Sequence, residues 1–220
     1  MAPLLKGEAN RIRAFTRGGT IRRYLNEHPR AKLHLGSGPQ IKEGWLNADK
    51  FDPRADIYLN TYARFPFDDA VFELVYSEHM MEHVRIDKIR LLLSEVLRIL
   101  KPGGMFRVTV PDLELFAHKY VEGDHAFFEP YLENHKRERE NGKEKHWLVR
   151  THGSAFMSLC NLRFHHHRWM YDFETVRALA EEVGFSKAVK QSYGVSLDEE
   201  AAKLDDAGRS HETLYVDLVK

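Results

Sequence analysis

Residues 32–49, which read KLHLGSGPQIKEGWLNAD, decide the fold. Lys32–Leu35 has the short apolar alternation of a β-strand and runs into Gly36-Ser37-Gly38-Pro39, which predicts a turn. Trp45–Ala48 predicts a second strand that ends at Asp49. Glycines after a strand let a ligand approach the backbone, and a carboxylate at the next strand end accepts both hydroxyls of a ribose. The pattern favours a nucleoside-binding turn, with an ordinary turn role for Asp49 as the alternative.

The alternation of strands and helices continues toward the C-terminus. Asp87–Leu100 carries apolar residues at helical spacing, and Lys101-Pro102-Gly103-Gly104 predicts the end of that helix. Strands that alternate with helices predict a parallel sheet joined by helical crossovers. Further strands are predicted at Asp56–Leu59, Glu73–Tyr76, Met105–Val110, Phe185–Gln191 and Thr213–Val219, and a further helix at Asp172–Glu182.

Four motifs follow one another along the chain: LHLGSGP (33–39), GWLNAD (44–49), FPFDDAVFELVYSEHMMEHV (65–84) and EVLRILKPGGMFRVTVPD (95–112). In this order they resemble the class I S-adenosylmethionine-dependent methyltransferases, and HHRWMYDFETVRALAEEVGF (166–185) extends the likeness. More closely, the chain is similar to a bacterial group of predicted small-molecule methyltransferases. The resemblance implies an α/β, Rossmann-like class I methyltransferase fold. Its sheet is expected to be mostly parallel and seven-stranded, with an antiparallel last strand and a helical insertion.

The resemblance also implies S-adenosylmethionine as cofactor, with S-adenosylhomocysteine as product. By position, the residues that it assigns to the cofactor are Leu35, Gly36, Ser37, Gly38, Asp49, Asn60, Ser77 and His79. The glycine turn is expected to hold the amino-acid part, and Asp49 the ribose. Asn60 replaces the Asp with which the family often bonds adenine, and Ser77 and His79 are expected near the methionine portion. The family's first crossover helix is expected to be short or absent, because only Gln40–Gly44 separates the turn from the second strand.

The 13 histidines include two concentrations. His79-Met80-Met81-Glu82-His83 matches H-x-x-E-H, a pattern in which two histidines one helical turn apart chelate zinc. Its place between a strand and the LKPGG unit argues against a metallopeptidase and favours His83 as a buried histidine bonded to the backbone. In the second concentration, His165 and His167 share a face if the segment is extended, and His152 then completes a possible metal site.

The expected reaction is transfer of a methyl group from S-adenosylmethionine to oxygen or nitrogen of a small-molecule or glycan-type acceptor. An oxygen acceptor must lose its proton, and an imidazole that titrates near neutrality suits this task. We expect His166 or His167 to act as this catalytic base, then His79, with Asp112 as the acidic alternative and with no metal ligand assigned. Two other functions stay open. One is a partner or regulatory subunit that binds the cofactor without transfer, and the other is a metal-dependent enzyme that uses the C-terminal histidines.

The domain prediction has two parts: a helical arm over 1–31 and a methyltransferase domain over 32–220, with 113–170 inserted as a substrate lid. The arm is basic, and its helical turns are expected to be interrupted at Gly18-Gly19. It either packs on the domain or faces an anion or partner. The insertion carries the charge-dense run His135–Lys145, which predicts either a solvated helical face or a cationic lid over an anionic acceptor.

Composition narrows the class of protein. Lys+Arg and Asp+Glu both number 33, and this balance argues against a uniformly basic nucleic-acid binder. A single cysteine, Cys160, excludes an internal disulfide and a cysteine-based zinc cluster. No run approaches the roughly 18 apolar residues of a membrane helix, and the N-terminus does not resemble a secretory signal. These features predict a soluble, cytoplasmic protein with neither a nucleic-acid nor a membrane partner. The resemblance implies an enzyme with a small-molecule or sugar acceptor, anionic acceptors included, and the oligomeric state stays open.

Overall fold

A computed structural model describes residues 3–142, 149–160 and 167–220, with side chains from residue 12 onward. Its helices are α1 (Pro3–Glu27), α2 (Ile86–Ile99), α3 (Leu113–Val121), α4 (His125–Glu140), α5 (His152–Cys160), α6 (Phe173–Val183) and α7 (Glu199–Ala202). Its strands are β1 (Lys32–Leu35), β2 (Leu46–Asp49), β3 (Ile57–Tyr58), β4 (Phe72–Glu78), β5 (Leu100–Pro111), β6 (Lys187–Gln191) and β7 (Thr213–Val219). Single 3-10 turns lie at Met81–His83 and Ala207–Arg209.

The seven strands form one sheet in the order β3-β2-β1-β4-β5-β7-β6. The pairs β1–β2, β1–β4, β2–β3 and β4–β5 are parallel, whereas β7 runs antiparallel to both β5 and β6. The prediction of a mostly parallel seven-stranded sheet with an antiparallel last strand is therefore confirmed.

The main core lies between one face of the sheet and the helices α2 and α6. The apolar residues of α2 recur at helical spacing, and this spacing directs one face of the helix into the core. The buried side chains of the helix are Ile89, Leu92, Leu93, Glu95, Val96 and Ile99. Each apolar side chain of this size contributes about 1.5–3 kcal/mol on burial. The helix ends at Ile99, and the Lys101–Gly104 segment, where we predicted its end, lies inside β5. The predicted strand Met105–Val110 is thus the inner part of a longer strand. Within this longer strand, Gly103 has a left-handed φ of 74°.

Alternating residues of β4 supply both faces of the sheet. Val75 belongs to the main core, whereas Leu74 and Tyr76 pack on the other face with Trp45 and Ala201. This period of two follows from the pleat of a strand. The central sheet is therefore covered on both sides.

Helix α1 continues through Gly18-Gly19, so the predicted interruption is wrong. Glycine weakens a helix by about 1 kcal/mol per residue without ending it, and burial of Ile21 and Tyr24 on the next turns offsets that cost. The Tyr24 hydroxyl also donates to the Lys32 carbonyl at 2.8 Å, which fixes the end of the helix against β1. None of the helices in the described ranges combines the length and apolarity that a membrane crossing requires.

Helices α3, α4 and α5 follow β5 and precede α6, within the segment predicted as an insertion. They contact one another and share a small apolar cluster of their own. Its buried members are Phe116, Phe128, Val149, Ala155, Leu159 and Met170. The helical character of this segment is as expected, and its role as a substrate lid stays a prediction.

Candidate active site

The strand order reverses at β1, which lies between β2 and β4. In open parallel sheets, ligands bind at such a switch point, outside the carboxyl ends of the strands. A cavity of about 670 Å³ opens there, a size typical of small-molecule sites. The residues that line this switch-point cavity are Leu35, Gly36, Ala48, Asp49, Lys50, Phe51, Leu59, Thr61, Tyr62, His79, Met80, His83, Val84 and Arg168.

Gly36 forms part of the wall where β1 ends. Its φ is 72°, a conformation that favours glycine. A Cβ at this position would lie 2.2 Å from Cγ of Met80. The Met80 side chain can therefore occupy its place only because residue 36 has no side chain. The Gly36 and Ser37 N–H groups both donate to the Ala48 carbonyl, at 2.8 and 3.2 Å. The turn is thereby fixed to β2.

Asp49, at the end of β2, is held by backbone donors on both oxygens. Its Oδ2 accepts from the Gly38 N–H at 3.0 Å, and its Oδ1 accepts from the N–H groups of Phe51 and Asp52 at 2.5 and 2.7 Å. These bonds link the carboxylate to the glycine turn and fix its direction. Oδ1 already uses both of its lone-pair sites, whereas Oδ2 keeps one, so the group can still accept a hydroxyl donor from a ligand at Oδ2.

Four of the eight residues predicted to contact the cofactor line the switch-point cavity: Leu35, Gly36, Asp49 and His79. Ser37, Gly38, Asn60 and Ser77 are not among its lining residues. The Asn60 Oδ1 accepts from the Tyr62 N–H at 3.3 Å, so this side chain closes its own turn. Ser77 is fully buried in β4, and its hydroxyl has no hydrogen-bond partner among the described residues.

Sequence reasoning missed Met80, Tyr62 and Arg168 as lining residues. Met80 lies in the H-x-x-E-H motif, but that motif drew attention only to its polar members. Arg168 lies 119 residues beyond Asp49 in the chain, and no local signal relates the two positions. The one available indication was that Arg168 directly follows the second concentration of histidines, which was predicted to approach the active site.

No helix lies between β1 and β2 in the described structure, as the short Gln40–Gly44 connection predicts. The positive end of a crossover helix is therefore missing beside the glycine turn, where it would face a negatively charged ligand group. The Lys42 N–H instead donates to the Asn47 side chain at 2.9 Å, and this amide organises the connection.

A second cavity of about 330 Å³ adjoins the first, because His79 lines both. Helices α3, α4 and α5 contribute to it together with the segment after the Ala207–Arg209 turn. Its lining residues are His79, Pro111, Phe116, Pro130, Tyr131, Asn134, Leu159, His167, Arg209, His211 and Glu212. The predicted insertion therefore borders a space that shares His79 with the lining of the switch-point cavity.

His79, at the junction, has both ring nitrogens engaged. Its Nδ1 accepts from the Arg209 guanidinium at 2.7 Å, and its Nε2 donates to the Thr213 hydroxyl at 2.9 Å. That hydroxyl donates to the Arg209 carbonyl at 2.7 Å, which settles the direction of the bond. Burial and then the charge of Arg209 lower the His79 pKa to about 3. The ring is thus neutral and fixed. While the Arg209 guanidinium donates to Nδ1, the ring has no free lone pair that could take a proton from a methyl acceptor.

Glu82, His83 and His167 come together beside His79, although 84 residues separate the last two in the chain. Glu82 is fully buried, and burial raises its pKa to about 8. The His83 side chain is 43% exposed and lines the switch-point cavity, so the expectation of a buried His83 is wrong. His167 is buried, and its ring centroid lies 5.2 Å from that of His83. We call these three residues the Glu82–His83–His167 cluster.

The other predicted bases have different places. His166 and His165 lie outside the described residues. Asp112 caps α3 by accepting from the Leu115 N–H at 3.2 Å, and it is not among the lining residues of either cavity. His152 stacks on His125 with ring centroids 4.0 Å apart, and it is not part of the group of close ligand atoms that includes His167.

The basic residues of the insertion do not line the second cavity in the described part of the chain. Lys136, Arg139 and Arg150 instead line a separate groove on α4 and the segment before α5. The cation that faces the second cavity is Arg209, outside the insertion. Partial burial raises the pKa of the Cys160 thiol to about 11, which does not favour a nucleophilic thiolate.

The sheet order, the glycine turn after β1 and the acid after β2 together define a Rossmann-like methyltransferase fold. Residues 37–108 match a family model described as a methyltransferase domain. This match covers less than half of the chain and runs from the glycine turn into β5. It confirms the resemblance to class I S-adenosylmethionine-dependent methyltransferases, an enzyme class with S-adenosylmethionine as methyl donor.

Solved structures similar to the chain include a SAM-dependent methyltransferase from Archaeoglobus fulgidus, with 13% identity, 92% of each chain covered and a TM-score of 0.48. Another is a possible histamine N-methyltransferase from Thermotoga maritima, with 16% identity, 94% of each chain covered and a TM-score of 0.49. At these TM-scores the likenesses are weak, and the assignment does not rest on them. None of the curated proteins compared with the chain matches it.

Proposed function

We propose that the chain methylates a small-molecule or sugar acceptor that lies in the second cavity, with S-adenosylmethionine in the switch-point cavity. The observation that carries this proposal is the junction of the two cavities at His79. A donor in one cavity and an acceptor in the other would meet at that residue. The helices α3, α4 and α5 that border the second cavity would then select the acceptor, which is the role predicted for the insertion.

Asp49 and Gly36 support the placement of the cofactor. The fixed carboxylate of Asp49 offers the open site of its Oδ2 to a ribose hydroxyl, and the turn at Gly36 brings the backbone close enough for the amino-acid part. Leu59 and Tyr62, which line the same cavity as Asp49, offer an apolar wall for the adenine ring. The Asn60 Oδ1 accepts from the Tyr62 N–H and keeps a second lone pair that could accept from the adenine amino group.

The chemistry requires little covalent help from the protein. The acceptor atom forms a bond to the methyl carbon while the carbon–sulfur bond breaks, and its electron pair stays on sulfur as S-adenosylhomocysteine leaves. The main contributions of the chain would be alignment of the two reactants and exclusion of water. An oxygen acceptor must also lose a proton, and the groups placed for this are those of the Glu82–His83–His167 cluster. His167 is the one predicted base among them, and His166 stays a prediction.

The test of the cofactor placement is Asp49→Ala with Asp87→Ala as the matched control. Asp87 is an exposed carboxylate paired only locally with Arg85. Loss of hydrogen bonds to a charged group costs about 1.5–3 kcal/mol, so we expect Asp49→Ala to weaken S-adenosylhomocysteine binding about 10- to 100-fold in calorimetry. Asp87→Ala should bind like the wild type. Unchanged affinity in folded Asp49→Ala would show that the ribose is bound elsewhere.

A second measurement separates an enzyme from a binding subunit at this site. Formation of S-adenosylhomocysteine is followed with a panel of hydroxyl- and amine-bearing acceptors, sugars included. We expect product with at least one acceptor class and none without an acceptor. Cofactor binding without product across the panel would favour the binding subunit.

A further inference from the structure

We propose that the Glu82–His83–His167 cluster binds one divalent first-row transition-metal ion, with zinc as the first candidate. The ion would have an open coordination position at the junction of the two cavities. The site itself follows from side-chain geometry. Its catalytic task, activation of an acceptor hydroxyl, rests on the proposed function.

The donor atoms are already close together. One ligand atom from each of Glu82, His83 and His167 lies within 4.8 Å of the other two. Metal bonds of about 2.0–2.2 Å place such atoms somewhat nearer one another, and rotation of the side chains can supply the difference. Two imidazoles and one carboxylate make a donor set that leaves positions open on the metal, as in catalytic zinc sites.

Glu82 supplies an independent argument for a cation. It has no exposed surface, and neither of its oxygens has a hydrogen-bond partner among the described residues. Its Oε1 lies 3.6 Å from Nδ1 of His79 and 3.8 Å from Nε2 of His83. A buried carboxylate in this state is costly unless it is paired or coordinates a metal. A divalent ion beside His83 would satisfy it.

His167 is held in the form that a metal ligand needs. Its Nδ1 lies 3.0 Å from the Leu159 carbonyl, which can only accept, so Nδ1 carries the proton and Nε2 the lone pair. Donation of the second ring N–H to a carbonyl is the usual support for a metal-bound histidine. The Glu82 carbonyl accepts from the N–H groups of Arg168 and Trp169, at 2.5 and 3.2 Å. This contact fixes the segment after His167 against the turn that carries the other two ligands.

The neighbours of the cluster are consistent with one added dication. His79 has both nitrogens engaged and is therefore a supporting residue and not a ligand. The nearby positive charge of Arg209 is partly compensated by Glu212, whose Oε1 lies 3.8 Å from its guanidinium. His83 lines the switch-point cavity and His167 the second cavity, so the ion would lie where both open.

An ion in this place would act on an acceptor hydroxyl. Bound at the open position, the hydroxyl would have a lower pKa and lose its proton to solvent. The oxygen would then attack the methyl carbon, and the carbon–sulfur bonding pair would stay on sulfur. The proposal therefore favours hydroxyl-bearing acceptors over amines.

The experiment uses the full chain, produced without a histidine tag, stripped with EDTA and titrated with zinc in a calorimeter. His83→Gln removes one ligand from a partly exposed position, and His118→Gln is the matched control because His118 is an exposed histidine of α3. We expect one zinc ion per wild-type chain. Affinity should fall by at least about 100-fold in His83→Gln and stay unchanged in His118→Gln. Cobalt(II) should show the visible absorption of a four- or five-coordinate ion in the wild type and not in His83→Gln.

Two results would overturn the site: no zinc binding by the wild type, or equal zinc affinity of the wild type and His83→Gln. Glu82→Gln is a second variant, with circular dichroism and S-adenosylhomocysteine binding as checks that it folds. Metal-free protein that methylates a hydroxyl acceptor at the full rate would remove the catalytic task and leave the proposed function intact. Failure of S-adenosylhomocysteine to bind, with zinc bound as expected, would instead contradict the proposed function.

Discussion

The backbone at Gly36 meets two requirements at one α-carbon, a left-handed φ of 72° and the close passage of Met80. Several other glycines have a left-handed φ without a close neighbour. Gly123 has a φ of 68°, and a Cβ added there would meet nothing within 4 Å. Substitutions at Gly36 and Gly123 therefore separate the cost of backbone strain from the cost of steric contact with a cavity residue.

We expect Gly123→Ala to lower the free energy of unfolding by about 1–2 kcal/mol, the ordinary cost of a side chain in this conformation. Gly36→Ala should cost more, because the new methyl group displaces Met80 toward the switch-point cavity. It should also weaken S-adenosylhomocysteine binding, which Gly123→Ala should not. Urea unfolding and calorimetry of both variants measure the two effects. Equal unfolding free energies and equal affinities would contradict the steric argument.

At the scale of elements, strand β1 carries a histidine into the interior of the sheet. His34 is buried, and its Nδ1 lies 3.2 Å from the Asn47 side-chain oxygen on β2. Burial, and then the charge of Lys42, lower its pKa from 6.5 to about 4. The unfolded chain therefore binds a proton at a pH where the folded chain does not.

This difference predicts how β1 responds to acid. The stabilisation from neutral His34 is fully present above pH 6.5 and is lost as the pH falls from 6.5 to about 4. Within that window the wild type should lose about 1.4 kcal/mol per pH unit relative to His34→Gln, which has no titrating group there. Urea unfolding of both proteins between neutral and acidic pH measures this slope. Parallel stability curves would show that His34 is protonated in the folded state.

At the scale of the whole molecule, a buried ionic network connects β5, β7 and the segment before β7. Arg107 has no exposed surface, and its guanidinium donates to Asp217 at 3.0 Å and to Asp205 at 2.6 Å. Asp217 also accepts from the N–H of Leu197 at 2.7 Å. The segment between β6 and β7 carries α7 and the 3-10 turn at Ala207–Arg209.

Removal of the cation should have a large effect, because two buried carboxylates would lose their counter-ion. We expect Arg107→Met to lower the free energy of unfolding by about 3–5 kcal/mol. Arg85→Met is the control, since the Arg85–Asp87 pair is exposed, and it should cost less than about 1 kcal/mol. Denaturant titrations give both values. A small loss in Arg107→Met would mean that the ionic network contributes little to stability.

The sequence predicted features that depend on neighbouring residues better than those that depend on tertiary contacts. The spacing on α2 and the glycine turn after β1 are local, and both are present. The continuity of α1 at Gly18-Gly19 depends on burial of the following turns. Intrinsic helix propensities do not include such tertiary burial. The Glu82–His83–His167 cluster depends on a contact between two segments far apart in the chain. A single sequence gives no signal for such a pairing.

Helix α1 has a consequence for solubility. Strand β3 is two residues long and lies at one edge of the sheet, beside this helix. Arg17 donates to the Tyr58 carbonyl at 3.1 Å, so a guanidinium occupies a backbone group that an incoming strand would otherwise pair with. Exposed sheet edges promote aggregation between copies of a chain. The basic helix therefore covers the edge through which the sheet would otherwise grow into aggregates.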